Sequence, residues 1–184
     1  MTNPARGSGD DAPHDDFRLA AVALGSNLGD RRANLHAAAA RLVAIPATHV
    51  VRVSGLFETA AVAVAPGVDP GPGYLNAAAV LRTGLSPSEL LCELHGIERA
   101  LGRDRATQAH GRARVIDLDL LLMDDLVMNS AELTLPHPRM HERAFVLRPL
   151  AEVAPNMVIP TLKRTVAEML KKLGNEASDA KEGR

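Results

Sequence analysis

The chain has 184 residues, 46% hydrophobic and 23% charged, and a formal net charge of −1. That length suits a single domain with its own core, and the near-neutral balance excludes a general binder of nucleic acid or other polyanions. A lone cysteine, Cys92, rules out an intrachain disulfide. No run approaches the roughly 20 apolar residues of a bilayer span, so a cytoplasmic protein without membrane partners is expected.

Residues 1–17 are polar and acidic, with Asp10, Asp11, Asp15 and Asp16, and read as a disordered tail lacking a signal-like apolar run. The run 19–24 (LAAVAL) predicts a buried strand closed by the turn Gly25-Ser26-Asn27. Asp30 caps a helix in which Leu35, Ala39 and Leu42 recur at helical spacing, ending before Pro46. Residues 50–57 read as one alternating strand, with Val51, Val53 and Phe57 on one side. A Pro/Gly-rich loop over 60–73 leads to the next strand, 74–82. Ser86-Pro87-Ser88-Glu89 is a capping box with proline at the first helical position, followed by the stripe Leu90, Leu94, Ile97 and Leu101. After an arginine-rich irregular segment, 102–113, residues 115–123 (VIDLDLLLM) form a strand whose hairpin partner starts near Leu126. Residues 136–155 combine a loop and a short helix, and 165–173 form a last amphipathic helix. The folded domain is therefore 18–173, with 174–184 a second disordered tail. The order β-α-β-β-α-β plus a C-terminal extension predicts an α+β fold: a ferredoxin-like α/β sandwich on a mainly antiparallel sheet.

Asp117 and Asp119, two apart on a strand, project from one face with Cα atoms about 7 Å apart. Ile116, Leu118, Leu120 and Leu122 take the other face, while Leu121 and Met123 continue the carboxylate face. A strand this apolar is largely buried, where adjacent carboxylates repel and lose hydration. Mg²⁺ offsets that cost, taking one or two carboxylates and completing its octahedron with water and phosphate oxygens. A solvated acidic strand end is the plainer alternative. Arg99, Arg103, Arg105, Arg112 and Arg114 lie just upstream, within sixteen residues. Their planar guanidinium groups suit phosphate oxygens. The combination points to a metal–polyphosphate site.

Tyr74 and Asn76 share one strand face, an aromatic ring beside an amide that offers both donor and acceptor, as a flat heterocycle requires. An ordinary half-buried edge pair has the same pattern. The chain holds only one Tyr, three Phe and no Trp, so an aromatic near a polar loop calls for an explanation beyond packing. His137 and His141 stand at i, i+4, yet Pro138 between them and the lack of a third ligand argue against zinc. His137 and Arg143 fit better as further phosphate donors.

These residues resemble the 6-hydroxymethyl-7,8-dihydropterin pyrophosphokinase family. The matching landmarks are 23–29 (ALGSNLG), 57–59 (FET), 74–78 (YLNAA), Ile97-Glu98 with Gly102-Arg103, 114–120 (RVIDLDL) and 135–147 (LPHPRMHERAFVL), in the family's order. The resemblance implies transfer of the β,γ-pyrophosphoryl group of ATP to the hydroxymethyl oxygen of the dihydropterin, with AMP leaving. It implies two Mg²⁺ ions on Asp117 and Asp119, and a catalytic set of Asp117, Asp119, Arg103 and Arg114. His95, Glu98, Arg103, Arg105, Arg114, Leu120, Thr134, His137 and Arg143 would surround ATP. Thr59, Ala60, Val62, Tyr74, Asn76 and Phe145 would surround the pterin. Arg114 is expected to be set rigidly by its strand, and Arg103 to engage only as its segment closes. Both irregular stretches, 60–73 and 102–113, are expected to act as lids, with Mg-ATP binding first. A monomer working beside adjacent folate-pathway enzymes is expected. The chain departs from the family's pattern at Gly111-Arg112-Ala113, at His95 and Glu132, and in its longer 60–73 stretch. Since fold alone does not fix chemistry, another Mg-dependent nucleotidyl- or phosphotransferase and a non-catalytic ligand-binding module remain the alternatives.

Overall fold

A computed structural model describes residues 17–60, 71–103 and 113–182, with side chains described as far as 175. Val62, Arg105 and most of the two expected lids lie outside the described residues. The elements run β1 (Arg18–Ser26), α1 (Arg31–Leu42), β2 (Thr48–Val53), β3 (Phe57–Thr59), β4 (Tyr74–Thr83), α2 (Pro87–Ala100) and β5 (Asp117–Met123). They continue with β6 (Met128–Asn129), β7 (Thr134–Leu135), α3 (Ala144–Val153), β8 (Val158–Ile159), β9 (Arg164–Thr165) and α4 (Val166–Glu182). Both early helices start where the sequence predicts. The Asp30 carboxylate accepts from Ala33 N–H at 3.0 Å. Ser86 and Glu89 exchange the two bonds of a capping box, satisfying donors that the first helical turn leaves open.

The main sheet has the order β2-β4-β1-β5, every neighbouring pair antiparallel, with β3 pairing β4 beyond the end of β2. Each of α1 and α2 therefore joins two strands that point the same way and are separated by one strand running opposite. Leucines of α1 and α2 (Leu35, Leu42, Leu90, Leu94) pack with Val22, Leu24, Leu81 and Leu118 on one face of the sheet. The C-terminal extension covers the other face, where Leu147, Leu150, Val166 and Met169 pack on Ala21, Ala78, Val80 and Leu121. Strands rich in alanine let both helical layers approach closely, which suits a chain with few aromatics. Among the described residues no helix is long and apolar enough to cross a membrane.

Five local expectations are corrected. The strict alternation of β5 breaks at a bulge: Ala21 pairs Leu122 while Val22 pairs Leu120, leaving Leu121 as the extra residue. Leu121 and Leu122 therefore both enter the α3/α4 core, and Met123 crosses to the α1/α2 core. The single strand predicted over 50–57 is divided, because the buried Ser54 hydroxyl accepts Ala78 N–H at 2.9 Å and interrupts the regular ladder before β3 begins. The chain after β5 does not fold back on it: β6 pairs β7 instead. Asp124, with φ 44°, turns the backbone and receives Leu19 N–H on its carboxylate at 3.0 Å. Finally, α4 runs through Gly174 to Glu182 rather than ending at Leu173. One glycine costs a helix only about 1 kcal/mol, which the helix-forming residues around it offset. At the other end Phe17, assigned to the tail by sequence, stacks on His49 with centroids 5.9 Å apart.

Candidate active site

The C-terminal end of β1 meets the N-terminal ends of β4 and β5 at one edge of the sheet. There Phe57, Asn76, Gly25 and Asp117 follow one another across four strands in register. Side chains in such a row share a face, and strands lie about 4.8 Å apart, so Asn76 and Asp117 stand about 10 Å from each other. Gly25 puts nothing between them. A Cβ there would meet Asn76 Oδ1 at 3.6 Å and the Asp117 Cβ at 3.9 Å. Asp119 pairs Ala23 one step along the same face.

On the β4 side, the buried Asn76 donates from Nδ2 to Thr59 Oγ1 at 3.0 Å and to Phe57 O at 3.3 Å. Its amide nitrogen is thereby committed to β3, and its oxygen faces the gap above Gly25. Tyr74 pairs Thr59 and is half-buried, and Ala60 is exposed just beyond β3. Arg31, at the start of α1, donates to Gly73 O at 2.7 Å and to Glu58 at 2.9 Å, tying together the chain on both sides of the stretch 61–70. Helical signals alone surround Arg31 in the sequence, so nothing local marks this role.

On the β5 side both Asp117 oxygens meet arginines. Oδ1 takes Arg103 Nη1, and Oδ2 takes Arg114 Nη1 at 2.5 Å. Arg103, which the sequence leads one to expect on the phosphates as its segment closes, has protein partners here. It is already anchored, with Nη1 also on the Glu98 carboxylate and on Ile116 O at 3.3 Å. Arg114 is held through its backbone: its N–H donates to Asn27 Oδ1 at 2.7 Å, and its carbonyl accepts Asn27 N–H at 3.1 Å. Asn27 reads in the sequence only as a turn residue, yet it is buried and sets Arg114. Glu98 is wholly buried, its carboxylate turned to Arg103 and to Leu118 N–H.

The segment before α3 completes the site. His137 N–H donates to Leu121 O at 2.8 Å, so the bulge in β5 docks this segment over the carboxylates. Burial, then the charges of Arg143 and Arg139, hold the His137 imidazole below its ordinary value. His137 Nδ1 accepts Arg139 N–H at 3.3 Å, so the neutral ring carries its proton on Nε2. Burial and then Arg139 lower the Arg143 value, while Asp119 and Asp117 oppose them, which places this guanidinium within the field of the acidic pair. The Arg143 guanidinium also lies 5.6 Å from the ring centroid of Phe145, which is 41% exposed. His95, Asp119, Leu120, Thr134 and His137 line a cavity of about 250 Å³, although the Leu120 side chain is almost entirely in the core. A larger cavity of about 590 Å³, lined by Leu19, Val51, Val80 and Met157, lies at the far end of the sheet and shares none of these groups.

Among the described residues no three His, Cys, Asp or Glu side chains gather as a metal cage. Two carboxylates on one face still fit a hard cation that draws its remaining oxygens from water and phosphate. The arginines around them fit those same phosphates.

Residues 21–155 match the family described as 7,8-dihydro-6-hydroxymethylpterin-pyrophosphokinase. The 2-amino-4-hydroxy-6-hydroxymethyldihydropteridine pyrophosphokinase of Synechocystis is 38% identical over 154 residues, covering 84% of this chain and 75% of that one. Its namesake in Bacillus subtilis is 42% identical over 135 residues, covering 73% of this chain and 77% of the relative. Among solved structures, Plasmodium falciparum HPPK-DHPS superposes with a TM-score of 0.63 at 14% identity, over 85% of this chain. That likeness is one of fold, and the present chain spans only 44% of the Plasmodium one. By the family match and by identity sustained along most of two bacterial relatives, the chain belongs to the 7,8-dihydro-6-hydroxymethylpterin-pyrophosphokinase family.

Proposed function

We propose that this protein transfers the β,γ-pyrophosphoryl group of ATP to the hydroxymethyl oxygen of 6-hydroxymethyl-7,8-dihydropterin, releasing AMP. One observation carries the reading: an amide suited to a heterocycle and a carboxylate ringed by arginines share a row across the bare backbone of Gly25. A flat substrate gripped at Asn76 would have its side arm directed along that row toward the phosphates at Asp117. Asn76 Oδ1 offers an acceptor to ring N–H groups, with Tyr74 and Phe145 as the flanking rings. Thr59, Ala60 and Val62 would close the pterin side. Arg103, Arg105, Arg114, His137 and Arg143 would bind the triphosphate, with His95, Leu120 and Thr134 beside the nucleotide.

Phosphoryl transfer depends mostly on positioning and on balancing charge. Asp117 and Asp119 would hold two Mg²⁺ ions, which supply charge neutralisation on the phosphate oxygens. His137, neutral with its proton on Nε2, can donate to a phosphate oxygen without a change of charge. Arg103 and Arg114, both paired with Asp117, stand beside the carboxylate face and would serve phosphate oxygens there. We read the core as a ferredoxin-like sandwich, supported by the strand order and the two interleaved β-α-β crossovers. A monomer acting in folate biosynthesis is part of the proposal. Support for the pathway comes from the Schizosaccharomyces pombe "Folic acid synthesis protein fol1", 36% identical over 159 residues, which make up 21% of that longer chain.

Phosphorus NMR of ATP, Mg²⁺, the hydroxymethyl-dihydropterin and the protein tests the proposal. AMP with a pterin diphosphate is the expected product pair. ADP would indicate a simple kinase, inorganic pyrophosphate a nucleotidyltransferase, and binding without turnover a ligand module; each of these would overturn it.

A further inference from the structure

Glu98 is the one wholly buried carboxylate among the described residues, and phosphate chemistry gives a buried anion no obvious use. It sits in the last turn of α2, against the start of β5. Its Oε1 accepts Leu118 N–H at 2.7 Å, and so grips the backbone between Asp117 and Asp119. The same oxygen receives Arg103 Nη1, which in turn touches Asp117. The backbone builds the same link. Just past the end of α2 stands Gly102, with φ 90°, and Arg103 N–H returns to Glu98 O at 2.9 Å. The left-handed turn that only glycine adopts cheaply thus folds Arg103 back over the helix end. A nucleotide in solution has no path to a fully covered carboxylate. A buried charge must instead be paired, and Arg103 is a cationic partner of Glu98.

We propose that Glu98 is a positioning residue of the transfer reaction: it holds Arg103 on Asp117, sets the start of β5, and does not touch ATP. The inference rests on the functional reading above and departs from the nucleotide contact that the family resemblance implies. Removing the charge should release Arg103 while leaving the other proposed phosphate-binding residues, Arg114, His137 and Arg143, in place. A carboxylate or guanidinium misplaced by about 1 Å costs about 10²-fold in rate.

The test compares Glu98→Gln, Arg103→Met and the double variant with the wild type. Calorimetry with Mg²⁺ and α,β-methylene-ATP gives binding, steady-state assays give kcat and KM, and the ¹⁵N side-chain spectrum of the ligand-free protein follows the Arg103 guanidinium. Glu98→Gln should lower kcat about 10²-fold and shift the Arg103 resonance, while the analogue's Kd changes less than about 3-fold. Groups that act as a unit are not additive, so the double variant should be no slower than Arg103→Met alone. Analogue affinity falling in step with kcat would overturn the proposal, as would an unchanged kcat or a double variant slower than Arg103→Met. Should Glu98→Gln not fold, the double variant, which removes both charges, decides the matter against Arg103→Met. A wild type that releases no AMP would sink the functional reading alone. The arginine spectrum would then still report whether Glu98 holds Arg103, and an unshifted resonance would overturn that link by itself.

Discussion

Asn76 and Asp117 flank Gly25 in a single row across adjacent strands, so an amide and a carboxylate share one face with only backbone between them. A methyl at Gly25 would make ordinary contacts with both neighbours. Gly25→Ala should therefore fold with stability within about 1 kcal/mol of the wild type. Gly25→Val would fill the gap and lower pterin affinity by about 10-fold or more, since the ring and its arm would lose the space they occupy. Thermal denaturation with pterin titration checks both. Wild-type affinity in the valine variant would mean that the substrate does not lie along this row.

Asp117→Asn and Asp119→Asn each remove one negative charge from the face proposed to hold Mg²⁺. Turnover should fall by about 10²-fold or more in each, because charge balance supplies most of the catalysis. Pterin binding, proposed to use β3, β4 and Phe145, should change little. Near-normal turnover of both variants at ordinary Mg²⁺ would count against the metal assignment.

Asn27 reaches the site only through the backbone of Arg114. Replacing it by alanine leaves that N–H without its 2.7 Å acceptor. The cost should be about 1–3 kcal/mol of stability. Arg114 would lose its fixed place, so the KM for ATP should rise more than kcat falls. Arg114→Ala should weaken both ATP binding and turnover. An Asn27→Ala enzyme with unchanged KM would show that Arg114 is placed by Asp117 alone.

His137 supplies a pH dependence with a definite sign. Burial first, then Arg143 and Arg139, depress its value in the folded state below the ordinary 6.5. Between those two values the unfolded chain binds the proton and the folded chain does not, so stability rises with pH. Falling pH should therefore destabilise the protein from about the ordinary value down to the depressed one, and no further below it. Urea titrations across pH 5–8 should show a shallower slope in His137→Gln than in the wild type. Equal slopes would assign the acid sensitivity to other groups.

Most of the local structure is legible in the order of the residues. Capping residues and apolar spacing specify α1 and α2, and strand periodicity puts Asp117 with Asp119 and Tyr74 with Asn76, because these signals act over a few residues. The arginine-rich approach to the Asp pair was equally legible. How the pieces meet depends instead on strand pairing and packing. Register across β4, β1 and β5 brings Asn76, Gly25 and Asp117 into one row from positions far apart in the chain. The bulge at Leu121 breaks a period that no local pattern betrays, and its carbonyl then docks His137. Glu98, Asn27 and Arg31 gain their roles from partners distant in sequence or from burial, and neither leaves a mark on the residues beside them. A polar side chain's purpose depends on which charges and hydrogen-bonding groups the fold delivers to it, and that delivery is a property of pairing and packing rather than of local pattern.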